Sequence, residues 1–422
     1  MKKLFTLFLA FAFIFLTSCN HAPSVATTNS GSTGNEVTNP QEDWDAHLKD
    51  KIVMNMLRDF IELPSRILFE ANIGGQIRTY YYSKTDGKAY VYCFDPICDH
   101  TDYTCLGNPD YHLSGWNFSS TFFINNRFYS ISQYGQIWSF AFDGSDKRIE
   151  YDAGYELPDG IIHTMWSSTI AYGPYIYITL NLDADGNRHN LRYNIETKEM
   201  EDLTEKTGNI IALHYIYNDV IYGKGDVKKM GGVYLKTDLD LNPIEVNENP
   251  TASGYAVDHL IIEKALGDLD PIFGLPKLIG LRIYDIKTGE SFLIKNEDLG
   301  VKSVEIAGVT EKYIYFFDNQ SVNLGTITVN IFGTDREIKV TKANNGKLYR
   351  MNLDGTNIVC VYNNPEYELD SDMVIYDDKI VMQGRYIKVE NGEKKIWGGP
   401  VQAATINPDG TFGEFMEVEV LQ

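Results

Sequence analysis

Ile124-Asn125-Asn126-Arg127-Phe128-Tyr129 and Tyr172-Gly173-Pro174-Tyr175-Ile176-Tyr177 share one layout: an apolar residue, a two-residue turn, then a segment rich in aromatic and β-branched side chains. Turn pairs set between strand formers are the strongest short-range signal of a β-hairpin. The layout returns at Tyr217-Asn218-Asp219-Val220-Ile221-Tyr222, Val257-Asp258-His259-Leu260-Ile261-Ile262, Thr310-Glu311-Lys312-Tyr313-Ile314-Tyr315 and Tyr376-Asp377-Asp378-Lys379-Ile380-Val381, with Ile73-Gly74-Gly75-Gln76-Ile77 as a weaker first copy. A second hairpin follows each of these. It is seen in Tyr90-Val91-Tyr92 after Asp86-Gly87, in Ile137 to Phe142 before Asp143-Gly144, in Leu191 to Ile195, and in Val233 to Thr237. Leu281 to Asp285 before Thr288-Gly289, Leu348 to Leu353 before Asp354-Gly355, and Ala404 to Ile406 before Asp409-Gly410 complete the set.

Two hairpins make four strands, and seven such units recur at a mean spacing of roughly 50 residues. Four-stranded antiparallel units in series suit a β-propeller, because radial packing leaves few exposed sheet edges. The expected fold is therefore all-β, a seven-bladed β-propeller over residues 65–422, with six or eight blades as alternatives because the end units are least regular. A pair of β-sandwich domains is the competing architecture, but it does not call for even spacing along the whole chain. The 28 Tyr and 21 Phe supply bulky, β-favouring side chains, and helical spacing is nearly absent after Ile61.

The N-terminal segment differs. Lys2 and Lys3 precede an almost unbroken apolar run from Leu4 to Leu16, followed by Thr17, Ser18 and Cys19. A basic start, a short apolar run and small residues at a break are the requirements of an export signal. The run is shorter than the about 20 residues that span a bilayer. Residues 1–18 are thus expected to be a signal peptide. Residues 19–42, mostly Ser, Thr, Asn, Gly and Pro, bury too little to order themselves and form a flexible tether. Within 43–64, Leu48, Ile52, Val53, Met56, Leu57, Phe60 and Ile61 recur at helical spacing and Pro64 ends the pattern, which predicts a short amphipathic helix.

Leu16-Thr17-Ser18-Cys19 resembles the bacterial lipobox, which implies a lipidated Cys19 and a location in the cell envelope on the extracytoplasmic face of a membrane. An uncleaved membrane anchor and a plain secreted protein are the alternatives. Leu348-Tyr349-Arg350-Met351-Asn352-Leu353-Asp354-Gly355-Thr356 resembles the strand-turn of bacterial propellers of the TolB and low-density-lipoprotein-receptor-propeller-like type. Cys93-Phe94-Asp95-Pro96-Ile97-Cys98-Asp99-His100, continuing to Cys105, is similar to a segment of uncharacterised gut Gram-positive lipoproteins that carry such propellers. The resemblance spans the chain and implies fold and location, but no reaction.

Cys93, Cys98 and Cys105 lie close in sequence, with Cys360 far away. In an exported chain the first expectation is a disulfide, with Cys98 and Cys105 closing a loop of useful size. Cys93, Cys98, His100 and Cys105 also make a ligand set of three thiolates and one imidazole that suits tetrahedral zinc, although C-x4-C-x-H-x4-C is not the spacing of common fingers. Unmodified thiols are the third alternative. A cysteine nucleophile would need a base and an orienting group, and neither can be placed.

No catalytic residues are expected. H-E-x-x-H, G-x-S-x-G and phosphate-cradling glycine loops are missing from the sequence. Asp183-x-Asp185-Gly186-Asn187 fits a hairpin turn better than a calcium loop. His163, His189, His214 and His259 fall near successive blades but at different places in the repeat, so they should not share one metal. The net charge of −21 disfavours nucleic acid and anionic lipid headgroups as partners.

Loops between the two hairpins of a blade lengthen in the second half: Lys224 to Gly232, Glu263 to Gly280, an extra hairpin at Thr326 to Val340, and an extension through Tyr386 to Trp397. Such loops, held together by a rigid scaffold, are where binding sits. The function expected is a lipid-anchored binding or scaffolding module for a peptide, a glycan or an envelope protein, with no cofactor unless zinc. The alternative is a propeller-type polysaccharide lyase or hydrolase acting in the central channel.

Overall fold

The computed structural model of the chain describes residues 52–421 apart from 55–59, 64, 74–75, 95–97, 99–104, 106, 108–120, 132–135, 153–167, 182–187, 205–211, 225–233, 248–253, 270–275, 332–333, 370–372, 377 and 391–392. All of them belong to one unit, Gln41–Gln422. The expected signal peptide, Cys19 and the tether lie outside the described residues. Among the described residues no helix is long and apolar enough to cross a membrane.

Seven antiparallel blades follow one another along the chain, at 60–91, 121–152, 168–202, 212–247, 255–295, 304–363 and 367–417, as a β-propeller. Blade three shows the unit: Ser168–Tyr172 innermost, then Tyr175–Asn181, Arg188–Asn194 and Met200–Asp202 outermost. Each blade is sandwiched between two others, so both faces of its middle strands are apolar. In blade three, Ile176 and Ile178 join the core shared with blade two, whereas Tyr177 joins the core shared with blade four. In blade six, Ile314 and Phe316 face blade five while Tyr315 and Phe317 face blade seven.

The turns explain the repeat. Between first and second strands, Asn125, Asn126, Asn218 and Asp219 all have φ between 46° and 62°, the left-handed conformation that a two-residue hairpin turn requires and that Asn and Asp tolerate. Between third and fourth strands, every blade places an Asp or Asn whose side chain accepts the amide two residues on. These are Asp86, Asp143, Asn194, Asp238, Asp285, Asp354 and Asp409, accepting at 2.8–3.2 Å. The amide and hydroxyl of Thr356 hold the Asp354 carboxyl below the usual carboxylate range, and Thr411 does the same for Asp409. Both sets of tight turns lie on one face of the ring, the turn face. Loops between second and third strands, and connections between blades, lie on the other, the loop face.

Tyrosine hydroxyls link adjacent blades. Tyr92 donates to Phe142 O, Tyr172 to Asp219 Oδ1 at 2.9 Å, Tyr255 to Ile306 O at 3.4 Å, Tyr313 to Pro408 O at 3.1 Å and Tyr315 to Gly410 O at 3.2 Å. Each bond crosses from one blade to the next.

In the lead-in, where a helix is expected over 43–64, the described residues form strands, and residues 43–51, 55–59 and 64 lie outside the described ones. Val53–Met54 is a strand pairing antiparallel with Ala212–Tyr217, the innermost strand of blade four, with Val53 opposite Ile216. It therefore lies on the channel side of that blade, beside the inner strands of blades three and five. Phe60–Glu62 is the inner strand of blade one, pairing with Arg66–Ile73. The propeller thus starts before residue 65, and Ile73-Gly74-Gly75-Gln76-Ile77 joins the second and third strands of blade one rather than the first and second. Backbone pairing with strands far along the chain outweighs local helical spacing here. At the other end, Val420–Leu421 pairs parallel with Ala89–Val91, the outermost strand of blade one, and so ties the last blade to the first.

Candidate functional site

Cys93 follows the outermost strand of blade one, where the Tyr92 amide donates to Thr79 O at 2.9 Å. The Thr79 amide in turn donates to Gly107 O at 3.1 Å, so a single residue of the strand Gln76–Ser83 pins the chain beside Cys93 and beside Cys105. With Cys98, this brings three sulfurs within 4.8 Å of one another on the loop face of blade one. Cys105 is buried, Cys93 and Cys98 are half-buried, and the Gly107 amide donates to Cys105 Sγ at 3.3 Å. Burial, together with hydrogen bonding among the three thiols, pushes Cys105 up to about 12. Cys98 and Cys105, the pair expected to close a loop, both belong to this cluster, and Cys360 sits exposed in blade six, away from it. His100 lies outside the described residues. Among the described residues, this is the one place where three ligand atoms of His, Cys, Asp or Glu converge.

The histidines are dispersed, as their places in the repeat implied. His189 is on the third strand of blade three, 3.3 Å from Asp202. His214 is on the inner strand of blade four and His259 in the first turn of blade five, while His163 lies outside the described residues, as does the 183–187 turn. His259 does line a cavity of about 540 Å³ at the turn-face mouth of the channel, with Ile52, Val257, Glu311 and Leu353. Its Nδ1 is 2.5 Å from Asp258 Oδ2 and its Nε2 is 3.5 Å from Asp285 Oδ2. Clamped between two carboxylates, the imidazole is oriented, yet the described lining offers no serine, threonine or cysteine for it to activate.

The loop face is uneven. In blade five, Leu260–Leu269 and Pro276–Asp285 run well past the length of their neighbours. Blade seven has a longer pair, Lys379–Glu390 and Glu393–Thr405. The extra hairpin of blade six is a separate two-stranded ribbon, Val322–Ile331 with Thr334–Lys342. The blade-four loop from 225 to 233 lies outside the described residues. On these hairpins Leu266, Ile279, Ile338 and Ile396 are 36–55% exposed, which marks the surface as apolar in places despite the chain's acidity.

The ribbon is rooted firmly. Lys342 Nζ donates to Pro365 O and, at 3.3 Å, to Tyr367 O. Asn344 exchanges two hydrogen bonds with the Leu369 backbone, at 2.6 and 2.9 Å, and Glu368 accepts the Ala343 amide. The Tyr367 ring lies over Gly384 and Gly399 of blade seven, where a Cβ would come within 2.9 and 2.8 Å of it. Sequence inspection located the extra hairpin and the blade-seven extension but could not foresee this root, which depends on two glycines and a tyrosine far apart in sequence.

No protein-family model matches the sequence, and no curated sequence is significantly similar to it. Among solved structures, the chain is similar to an oligogalacturonate lyase from Vibrio parahaemolyticus at 9% identity, covering 86% of this chain and 93% of that one, with a TM-score of 0.40. It is also similar to BamB from Moraxella catarrhalis (10% identity, 79% and 95% covered, TM-score 0.32) and to TolB from Acinetobacter baumannii (9%, 84% and 77%, 0.30). The fold assignment rests on the strand pairing of the chain itself.

Proposed function

We propose that this chain is a lipid-anchored, extracytoplasmic propeller that binds a protein or peptide partner with the projecting hairpins of blades five, six and seven. The observation that carries this is the set of three long hairpins on one face, two of them extended blade strands and one a ribbon rooted in blade seven. A strand ribbon offers unpaired backbone groups along its edges, to which an extended segment of another protein can add, and exposed aliphatic side chains supply specificity. Among the described residues of these hairpins the large exposed side chains are aliphatic rather than aromatic, which favours protein over glycan.

Two features support this arrangement over a reaction in the channel. The strand Val53–Met54 covers the channel side of blade four, and among the described residues no histidines converge on a common point. That strand runs antiparallel to the inner strand of blade four, hence from the turn face toward the loop face.

The test is site-specific photocrosslinking in cells, with the reactive side chain at Ile338 or Ile396 and, as a control, at the comparably exposed Ile149 in blade two. A discrete adduct from the hairpin positions alone is the expected outcome, together with release of a Cys19→Ser variant from the membrane fraction. Equal crosslinking from all three positions would refute the hairpin surface.

A further inference from the structure

We propose that Cys93, Cys98 and Cys105 bind a zinc-class ion as three thiolate ligands, fastening the connection between blades one and two to the sheet of blade one. A disulfide uses two cysteines. Here three sulfurs from positions spread over thirteen residues lie within 4.8 Å of one another, and the third has no place in a simple disulfide staple. Zinc–sulfur bonds of about 2.3 Å place thiolates roughly 3.8 Å apart in a tetrahedron, so small side-chain shifts close this cluster around an ion.

The backbone around the sulfurs is set for it. Thr79 uses its carbonyl to hold the residue before Cys93 and its amide to hold Gly107, two residues after Cys105, so both ends of the cluster are fixed to one residue of a core strand. Thr79 is itself completely buried. The Gly107 amide aimed at Cys105 Sγ is the kind of outer hydrogen bond that steadies a metal thiolate and offsets its charge. An all-sulfur set selects zinc and other borderline or soft ions over calcium and magnesium. Binding exchanges three S–H protons for one divalent ion, leaving a site of net charge −1. Water takes the fourth position. The site lies apart from the hairpins of blades five to seven, so its failure and the failure of the binding surface are separate results.

The test uses the full chain, purified under reducing conditions without chelator, with metal content measured by mass spectrometry. About one zinc per chain is expected, as one closed site requires, falling to background in Cys98→Ser and in Cys105→Ser and unchanged in Cys360→Ser. Because a serine variant can misfold, cobalt is also added to the reduced wild-type chain. A thiolate-to-cobalt charge-transfer band with intense tetrahedral visible bands is expected, discharged by one equivalent of zinc. Absence of both zinc and the cobalt spectrum in the wild type overturns the proposal. So does zinc retained by a Cys93→Ser, Cys98→Ser, Cys105→Ser triple variant, or a disulfide between any two of the three, found by peptide mapping of protein taken from the cell envelope.

Discussion

Replacing Tyr315 by Phe removes one oxygen atom and isolates what a blade-to-blade hydroxyl contributes. Tyr315 is fully buried on the second strand of blade six, its ring stacked on Phe412 of blade seven at 5.4 Å and its hydroxyl donating to Gly410 O at 3.2 Å. In Tyr315→Phe the stacking survives, so the cost is the net hydrogen bond, about 0.5–1.5 kcal/mol, plus part of the penalty for an acceptor left unsatisfied among buried groups. The sum is about 1–2 kcal/mol. With an unfolding entropy of about 2.1 cal/mol/K per residue over roughly 370 residues, the melting temperature should fall by about 1–3 °C. Thr237→Val serves as the control. Thr237 is just as buried, its hydroxyl has no protein partner, and its exchange for a methyl should be neutral or stabilising. Thermal and urea unfolding by circular dichroism measure both. Equal stability of wild type and Tyr315→Phe, or an equal loss in Thr237→Val, would refute the assignment of the tyrosines as bonds between blades.

Ring closure should be sensitive to Val418→Asp, because Val418 is 5% exposed in the core shared by blades one and seven, just before the strand that pairs with Ala89–Val91. Lost burial and a carboxylate in an apolar site should cost about 3 kcal/mol or more, read as a lower urea midpoint and early proteolysis at the C-terminus; an unchanged midpoint would show that the ring closes without it. Stability should also fail at high pH. Burial pushes Tyr177 and Tyr362 up to about 12, and raises Tyr193, Tyr315 and Tyr367 as well. Their folded-state values lie above the unfolded value near 10. Their contribution is therefore whole below about pH 10 and is lost as the pH climbs toward about 12. Tyrosinate absorbance and ellipticity should change together in that window, and tyrosines that all ionise near pH 10 in an intact fold would contradict this.

The repeat was legible because its turns are local. Asn125-Asn126 and Asn218-Asp219 adopt left-handed conformations that few other residues accept, and an Asp or Asn closes the last turn of every blade. What was not legible depends on partners far along the chain. Val53–Met54 and Phe60–Glu62 are two- and three-residue strands whose spacing also fits a helix, and only Ala212–Tyr217 and Arg66–Ile73 decide between the two. The strand Val420–Leu421 is too short for any period. The many tyrosines were explicable as β-favouring bulk, but the hydroxyls of Tyr92, Tyr172, Tyr255, Tyr313 and Tyr315 reach the next blade, which no local pattern encodes. For the cysteines, residue type and spacing named the candidates; their convergence follows from Thr79, a residue with no chemical signal of its own.

The root of the blade-six ribbon bears on why a binding surface fits this face. An isolated two-stranded ribbon is marginally stable in water, so one projecting from a propeller keeps its direction only if its base is held. The base is held by buried polar groups: Lys342, Asn344 and Glu368 are each under 10% exposed and are bonded to backbone atoms of residues 343 to 369. Burial pushes the Lys342 ammonium below its ordinary lysine value, a sign that desolvation there is not fully offset. An apolar base would be cheaper to bury, but it would not fix direction as hydrogen bonds do. Gly384 and Gly399 leave the room in which the Tyr367 ring sits against blade seven, adding a steric constraint to the polar one. A loop that merely covered the rim would need neither. A ribbon that must meet a partner in a set orientation gains from both, because ordering done on folding does not have to be done again on binding.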